Sequence, residues 1–153
     1  MISTAIIYAS THHGNTLKLV KAIAEKHSID LIDATRKEIV DLSKYDLIGF
    51  ASGIDFGKLY QSIEDFMDKN LPENKTIFFI YTCAKPNQRF TNSVASIAKK
   101  KNANLAGEYG CKGYNTYGPW KIIGGMNKTH PNEKDITNAI TFFDSILDKI
   151  HSL

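Results

Sequence analysis

Seven consecutive residues, Ser10-Thr11-His12-His13-Gly14-Asn15-Thr16, set hydroxyls, an amide, two imidazoles and a glycine between an apolar run, Ala5 to Ala9, and an amphipathic one, Leu17 to Lys26. Hydroxyl donors beside a helix N-terminus form a phosphate cradle in outline, because the first N–H groups of a helix carry partial positive charge and lack intrahelical partners. Gly14 supplies the backbone freedom a tight turn needs. No side-chain cation is required. The loop lacks the Gly-Lys-Ser/Thr ending of a nucleoside-triphosphate loop and the glycine spacing of a dinucleotide loop. The same residues also suit a plain strand-to-helix turn with Asn15 or Thr16 as N-cap. His12 and His13 are adjacent, and no other His, Asp or Glu stands near them in the pattern, so a metal site is not expected.

Three further segments have the composition of binding loops. In Ser52-Gly53-Ile54-Asp55-Phe56-Gly57-Lys58-Leu59-Tyr60, Gly53 lets a ligand approach the main chain. Exposed Ile54 and Phe56 would need a partner, and a flat apolar ring would serve; the alternative is an ordinary turn. Thr82-Cys83-Ala84-Lys85-Pro86-Asn87 is small and polar. The stretch from Lys112 to Asn132 is long and rich in glycine and aromatics, which marks it as functional; Tyr114, Tyr117 and Trp120 either pack within it or face a ligand. Cys83 and Cys111 lack the spacing of a zinc or disulfide framework and read as small buried apolar groups.

The elements that must position these loops alternate. Strand-like runs are Ala5–Ala9, Ile29–Asp33, Leu47–Ser52, Thr76–Thr82 and Leu105–Cys111. Leu47-Ile48-Gly49-Phe50-Ala51 and Ile77-Phe78-Phe79-Ile80-Tyr81 are apolar without interruption, which indicates strands buried on both faces of a parallel sheet. Amphipathic helices are expected over Thr16–Lys26, Ser62–Asn70 and Thr91–Lys101, and in a last helix through Ile136, Ile140, Phe143, Leu147 and Ile150. Asn132 reads as the N-cap of that helix, with Asp135 three residues on as an imperfect capping box. The segment Arg36–Asp46 fits one short helix or a loop, with Asp41 at a turn. The expected fold class is α/β, three-layered, one domain over residues 1–153, with ligands at the carboxyl ends of the strands. With 42% hydrophobic and 23% charged residues the chain is globular. It has no apolar run near the ~20 residues of a membrane helix and no signal-peptide pattern, so a cytoplasmic protein without membrane insertion is expected. A net charge of +3 and a pI of about 8.8 are too weak to indicate nucleic acid.

Gly14-Asn15-Thr16, placed after the first strand, matches the end of a Thr/Ser-x-Thr-Gly-Asn-Thr loop, and with the loops after the third and fourth strands it resembles the flavodoxin family. The resemblance runs from Ser3 to Ile150. A segment Gly-aromatic-x-Thr-aromatic-Gly-Pro, here Gly113 to Pro119, resembles small single-domain members. It implies a five-stranded parallel sheet in the order 2-1-3-4-5 and one FMN, held without a covalent bond. It implies that Ser10, Thr11, His12, His13, Gly14, Asn15 and Thr16 surround the phosphate. Ser52, Gly53, Ile54, Asp55 and Phe56 would wrap the isoalloxazine ring, with a peptide at Gly53 turning as ring N5 gains a proton. Thr82, Cys83 and Ala84 would close the other side. The implied function is low-potential electron transport with a redox protein partner and no catalytic acid or base. The alternative is a small NAD(P)H-dependent FMN quinone or flavin reductase. The chain departs from the family at His12-His13, which replace Thr-Gly or include an inserted residue. It lacks the stacking Tyr and Trp at their usual places, where Phe56 and the aromatics of the long loop are the available substitutes. Shuttling flavodoxins are typically acidic and meet basic partners; this chain is net positive, so that partner is not implied.

Overall fold

The computed structural model describes residues 1–11, 14–114, 127 and 129–152. Strand β1 (Thr4–Ala9) leads into helix α1 (Asn15–Lys26), and β2 (Ile29–Asp33) ends in a short 3-10 turn (Ala34–Arg36). Strand β3 (Leu47–Asp55) folds back on the two-residue β4 (Lys58–Leu59), which leads to α2 (Gln61–Asn70). Strand β5 (Thr76–Cys83), a 3-10 turn (Gln88–Thr91), α3 (Asn92–Lys100), β6 (Asn104–Lys112) and α4 (Glu133–His151) complete the chain. The sheet order is β2-β1-β3-β5-β6, with β4 paired to β3 alone. The five long strands are mutually parallel. Once the small antiparallel strand is set aside, this is the expected 2-1-3-4-5 order.

The uninterrupted apolar strands are explained by a core on each side of the sheet. Side chains alternate across a strand. Accordingly Ile7, Phe50 and Phe79 face one core with Ile63 and Phe66 of α2 and Val94 of α3. Ile6, Phe78 and Ile80 face the other, with Leu19 and Ile23 of α1 and Phe143 and Ile146 of α4. Phe78 is fully buried and meets Phe142 and Phe143 edge-on, at centroid distances of 6.1 and 5.7 Å. Its ring lies over Gly49, where a Cβ would come within 2.3 Å of Phe78 Cζ. Truncating such a ring to alanine costs about 3–5 kcal/mol.

Helix ends follow the sequence chemistry, with one correction. Asn132 and Asp135 form the full capping box of α4, each side chain bonded to the other's backbone N–H at 2.9 Å. Residues 37–46 form a loop rather than a short helix, and in it Asp41 Oδ1 accepts the Ser43 N–H at 2.9 Å. The N-cap of α1 is neither Asn15 nor Thr16 but Gly14, at φ 65°. The left-handed turn requires it, and both polar residues move into the first helical turn, where their side chains serve the loops instead.

Candidate functional site

A cleft of about 320 Å³ opens at the carboxyl ends of β1, β3 and β5, the place where parallel α/β sheets take ligands. Its size falls in the ~300–1,000 Å³ of small-molecule sites. Lys85 is the one charged residue on its wall, and no carboxylate lines it among the described residues. A second hollow of about 510 Å³, between the first 3-10 turn and α2, is larger. It is lined by charges of both signs, Lys37, Glu38, Asp65, Asp68 and Lys69, and holds no orphaned buried side chain.

The floor of the cleft is the β1–α1 junction. Gly14 has no side chain to cap α1, and Ser10 Oγ takes the Leu17 N–H at 3.3 Å, which leaves the serine hydrogen free to donate. Thr16 and Thr82 are both buried, and their hydroxyls lie 2.9 Å apart. One hydrogen serves that contact, and the second is left over. Asn15 is 7% exposed; its Nδ2 donates to the Tyr114 carbonyl at 2.8 Å, but its Oδ1 has no partner among the described residues. A buried acceptor left in that state costs about 1–3 kcal/mol. Gly113 lets the end of β6 lie against this amide, since a Cβ there would stand 2.6 Å from Asn15 Nδ2.

One wall is the β3–β4 hairpin. Ser52 Oγ donates to the Gly53 carbonyl at 2.7 Å and accepts the Tyr60 N–H at 3.0 Å, so this buried serine fixes the hairpin rather than facing the cleft. Tyr60 Oη accepts from Thr11 Oγ1 at 3.1 Å, joining the wall to the first loop. Gly53 does not supply unusual backbone angles: among the described residues the glycines at positive φ are Gly14 and Gly57. Gly53 lies in the β3–β5 ladder opposite Thr82, and a Cβ on it would stand 2.5 Å from Tyr60 Oη. It is glycine because the tyrosine crosses it. The left-handed residues are the next ones along, Phe56 (φ 53°) and Gly57 (φ 76°), at the hairpin tip, where Phe56 is 94% exposed. The base of the hairpin is held by Lys58 Nζ and Ser93 Oγ, which both donate to the buried carboxylate of Glu64 on α2.

The opposite wall comes from the end of β5 and the turn behind it. Cys83, Ala84, Lys85 and Phe90 line it. Phe90 is held edge-on to Tyr81 at 5.9 Å, and Asn127 Nδ2 donates to the Ala84 carbonyl at 2.8 Å. Cys83 packs with the α2–α3 core and Cys111 with the α1–α4 core, on opposite faces, so the two free thiols do not meet. Burial pushes both thiols up to about 12.

Of the residues singled out in the sequence, Ser10, Thr11, Asn15, Thr16, Gly53, Ile54, Thr82, Cys83 and Ala84 line the cleft. Gly14 shapes it through the backbone. Ser52 holds the hairpin, Asp55 pairs with Lys58 in the ladder and Phe56 projects from the tip. His12, His13, Tyr117 and Trp120 lie outside the described residues. Tyr60, Lys85, Phe90 and Gly113 line the cleft without having been assigned to it, and Tyr114 joins them. Tyr60 ends the loop after β3 and Lys85 lies within the loop after β5, so proximity was their signal. Phe90 carried none, because an aromatic before a helix usually packs into the core.

Comparison with known proteins places this arrangement. Residues 5–122 match the family model described as flavodoxin domain. An uncharacterized protein of Methanocaldococcus jannaschii is 44% identical over 146 residues, covering 93% of this chain and 96% of that one. Among solved structures, a flavodoxin from the domain Archaea superposes with a TM-score of 0.67 at 18% identity, over 97% of this chain and 99% of that one. A flavoprotein from Lactobacillus acidophilus NCFM, solved in complex with FMN, gives a TM-score of 0.58 at 16% identity, over 72% of this chain and 93% of that one.

Proposed function

The chain belongs to the flavodoxin family, and on that premise we propose that its cleft binds FMN and that the protein serves low-potential electron transfer. The observation that carries this reading is the buried, orphaned Oδ1 of Asn15 beside a helix N-terminus whose N-cap, Gly14, supplies no side-chain acceptor. A site of that kind asks for a ligand with an anionic end and hydroxyl donors next to it. A ribityl phosphate has both, and a bare anion has only the first.

The residues present fit the group. The first turn of α1 with Ser10 would hold the phosphate, because N–H groups and a hydroxyl hydrogen stabilise an anion without a cation. Asn15 Oδ1 would accept from a ribityl hydroxyl, and the spare hydroxyl hydrogen of the Thr16–Thr82 pair would donate. Gly53, crossed by Tyr60, keeps one wall flat enough for a ring to lie along it. Tyr60, Phe90 and Tyr114, which line the cleft, and Phe56, at the exposed tip of the hairpin, are the aromatics available to cover a ring face. FMN, when bound, supplies the redox chemistry, and the protein supplies orientation and electrostatics. The absence of a carboxylate on the described wall removes a repulsion that a phosphate would otherwise meet.

The protein purified in the presence of FMN should retain it through gel filtration, with a flavin visible spectrum and quenched flavin fluorescence. It should not turn over NADPH at a steady rate without a partner protein. Rapid turnover with a small quinone alone would move the assignment to the reductase, and colourless protein that takes up no FMN would remove the flavin reading altogether.

A further inference from the structure

Charge is unevenly divided along this chain. Residues 74–132 hold nine Lys and Arg against one acid, Glu108, a net +8; the remaining residues hold ten against fifteen, a net −5. Glu108 is itself engaged, accepting from Thr91 Oγ1 at 2.6 Å. The fold then carries described basic residues of this stretch to the two ends of the sheet. Lys75 and Lys101 sit at the amino end and spend their ammonium groups on the backbone carbonyls of Ser43, Tyr45 and Asp68 at 2.8 to 3.0 Å. Lys85, Arg89 and Lys112 sit at the carboxyl end, around the cleft. Lys112 ends β6 opposite Cys83, Lys85 is on the cleft wall, and Arg89 precedes the wall residue Phe90. All three are exposed, and none forms an ion pair among the described residues.

Three exposed, unpaired cations contribute little to stability. What they contribute is a field at the mouth of the cleft. No acid is present from residue 84 to 91 or from 109 to 132. Asp55, on the far hairpin, is exposed and belongs to a ladder pair with Lys58; in the first turn of α4, Asp135 is engaged by His130 and the Asn132 N–H, and Glu133 is the exposed acid there. The three side chains come from two strand ends and a turn, with no buried donor among them, so they form no closed pocket for a small anion. They suit a broad carboxylate-bearing surface that must approach the opening.

We propose that the Lys85–Arg89–Lys112 rim is the docking surface for an acidic redox protein, one whose own redox centre lies within a carboxylate-rich face. The proposal rests on the reading that the cleft holds FMN, since the rim is useful for electron exchange only if the electrons leave there. Opposite potentials on the two faces steer encounter and fix orientation, and screening by salt weakens both.

The test is an amide NMR titration of the FMN-saturated protein, and of the apoprotein in parallel. The titrants are an acidic plant-type ferredoxin, the basic horse-heart cytochrome c and a single-stranded oligothymidylate. Ferredoxin should bind at low salt, shift resonances at Lys85, Arg89 and Lys112, and weaken about tenfold or more on going to physiological ionic strength. The pair R89E/K112E should weaken it by about tenfold, and K99E/K100E, at the amino end of the sheet, should leave it within about twofold. Cytochrome c should prefer R89E/K112E to the unaltered protein. Equal binding of ferredoxin to the unaltered protein and R89E/K112E overturns the proposal, as does preference of the unaltered protein for cytochrome c. Tighter binding of the oligonucleotide at the same rim overturns it in favour of nucleic acid. FMN affinity, read separately by calorimetry, keeps the two claims apart. Docking that persists in a protein unable to take up FMN defeats the flavin reading alone, and a loaded protein that ignores ferredoxin defeats the docking surface alone.

Discussion

Asn15→Ala separates a binding role from a structural one. In the protein without ligand, the substitution removes the Nδ2 bond to the Tyr114 carbonyl, a neutral bond worth about 0.5–1.5 kcal/mol. It also removes the buried, unpaired Oδ1, whose desolvation costs about 1–3 kcal/mol. The two oppose each other, so the apoprotein should lose no more than about 0.5 kcal/mol of stability and could gain up to about 2.5 kcal/mol. With FMN bound, the balance differs. Oδ1 is then satisfied, and its loss removes a hydrogen bond from a dry site, so FMN affinity should fall by about 1–3 kcal/mol, roughly 5- to 150-fold in dissociation constant. Urea unfolding of apoprotein and calorimetric FMN titration, on the same preparations, measure both sides. If Asn15→Ala unfolds the apoprotein readily and leaves the affinity of the survivors unchanged, the amide is a structural tie between α1 and β6, and the reasoning fails.

Other outcomes follow from the same geometry. Ser10→Ala should weaken FMN by about 1–3 kcal/mol and leave riboflavin almost unaffected, because the lost donor serves the phosphate; parallel fluorescence titrations decide it. Lys58→Met leaves the buried Glu64 carboxylate with Ser93 alone; this should cost about 1–3 kcal/mol, less than a fully buried pair because Lys58 reaches water, and urea midpoints give the value. Cys83 and Cys111 carry thiols raised by burial from 9.0 to about 12. Their contribution to stability is complete below pH 9 and should be lost as pH rises from there toward 12, visible as alkaline loss of the folded far-ultraviolet signal. A Cys83→Ala, Cys111→Ala protein should lose less over that range. Iodoacetamide should modify Cys83 more slowly when FMN is present, because Cys83 lines the cleft and Cys111 does not.

The sheet was legible because burial on both faces leaves its mark as uninterrupted apolar runs, and the observed strands extend the expected ones by at most a few residues. The capping box at Asn132 and Asp135 was legible because its chemistry is local. The hairpin at Phe56-Gly57 was not. A two-residue turn of this hand is announced by Asn-Gly or Asp-Gly, and a phenylalanine at positive φ gives no such signal. The packing reason for a glycine at position 53 was not legible for a related reason. A glycine in sequence shows that a side chain is missing, not whether the backbone turns or a neighbour such as Tyr60 fills the space. Thr82 was assigned to the ligand, but its bond to Thr16 spans 66 residues, and no local pattern encodes a contact of that range.

The central claim is that the β1–α1 junction binds the phosphate of FMN, and the measurement that meets it most directly is calorimetric titration of the apoprotein with FMN and with riboflavin. The two ligands share the ring and the ribityl chain and differ by the phosphate alone. The account predicts micromolar or tighter FMN binding, and riboflavin weaker by about tenfold or more, the worth of the charge-assisted bonds at the helix terminus. Riboflavin bound as tightly as FMN, or no heat with either, would contradict it.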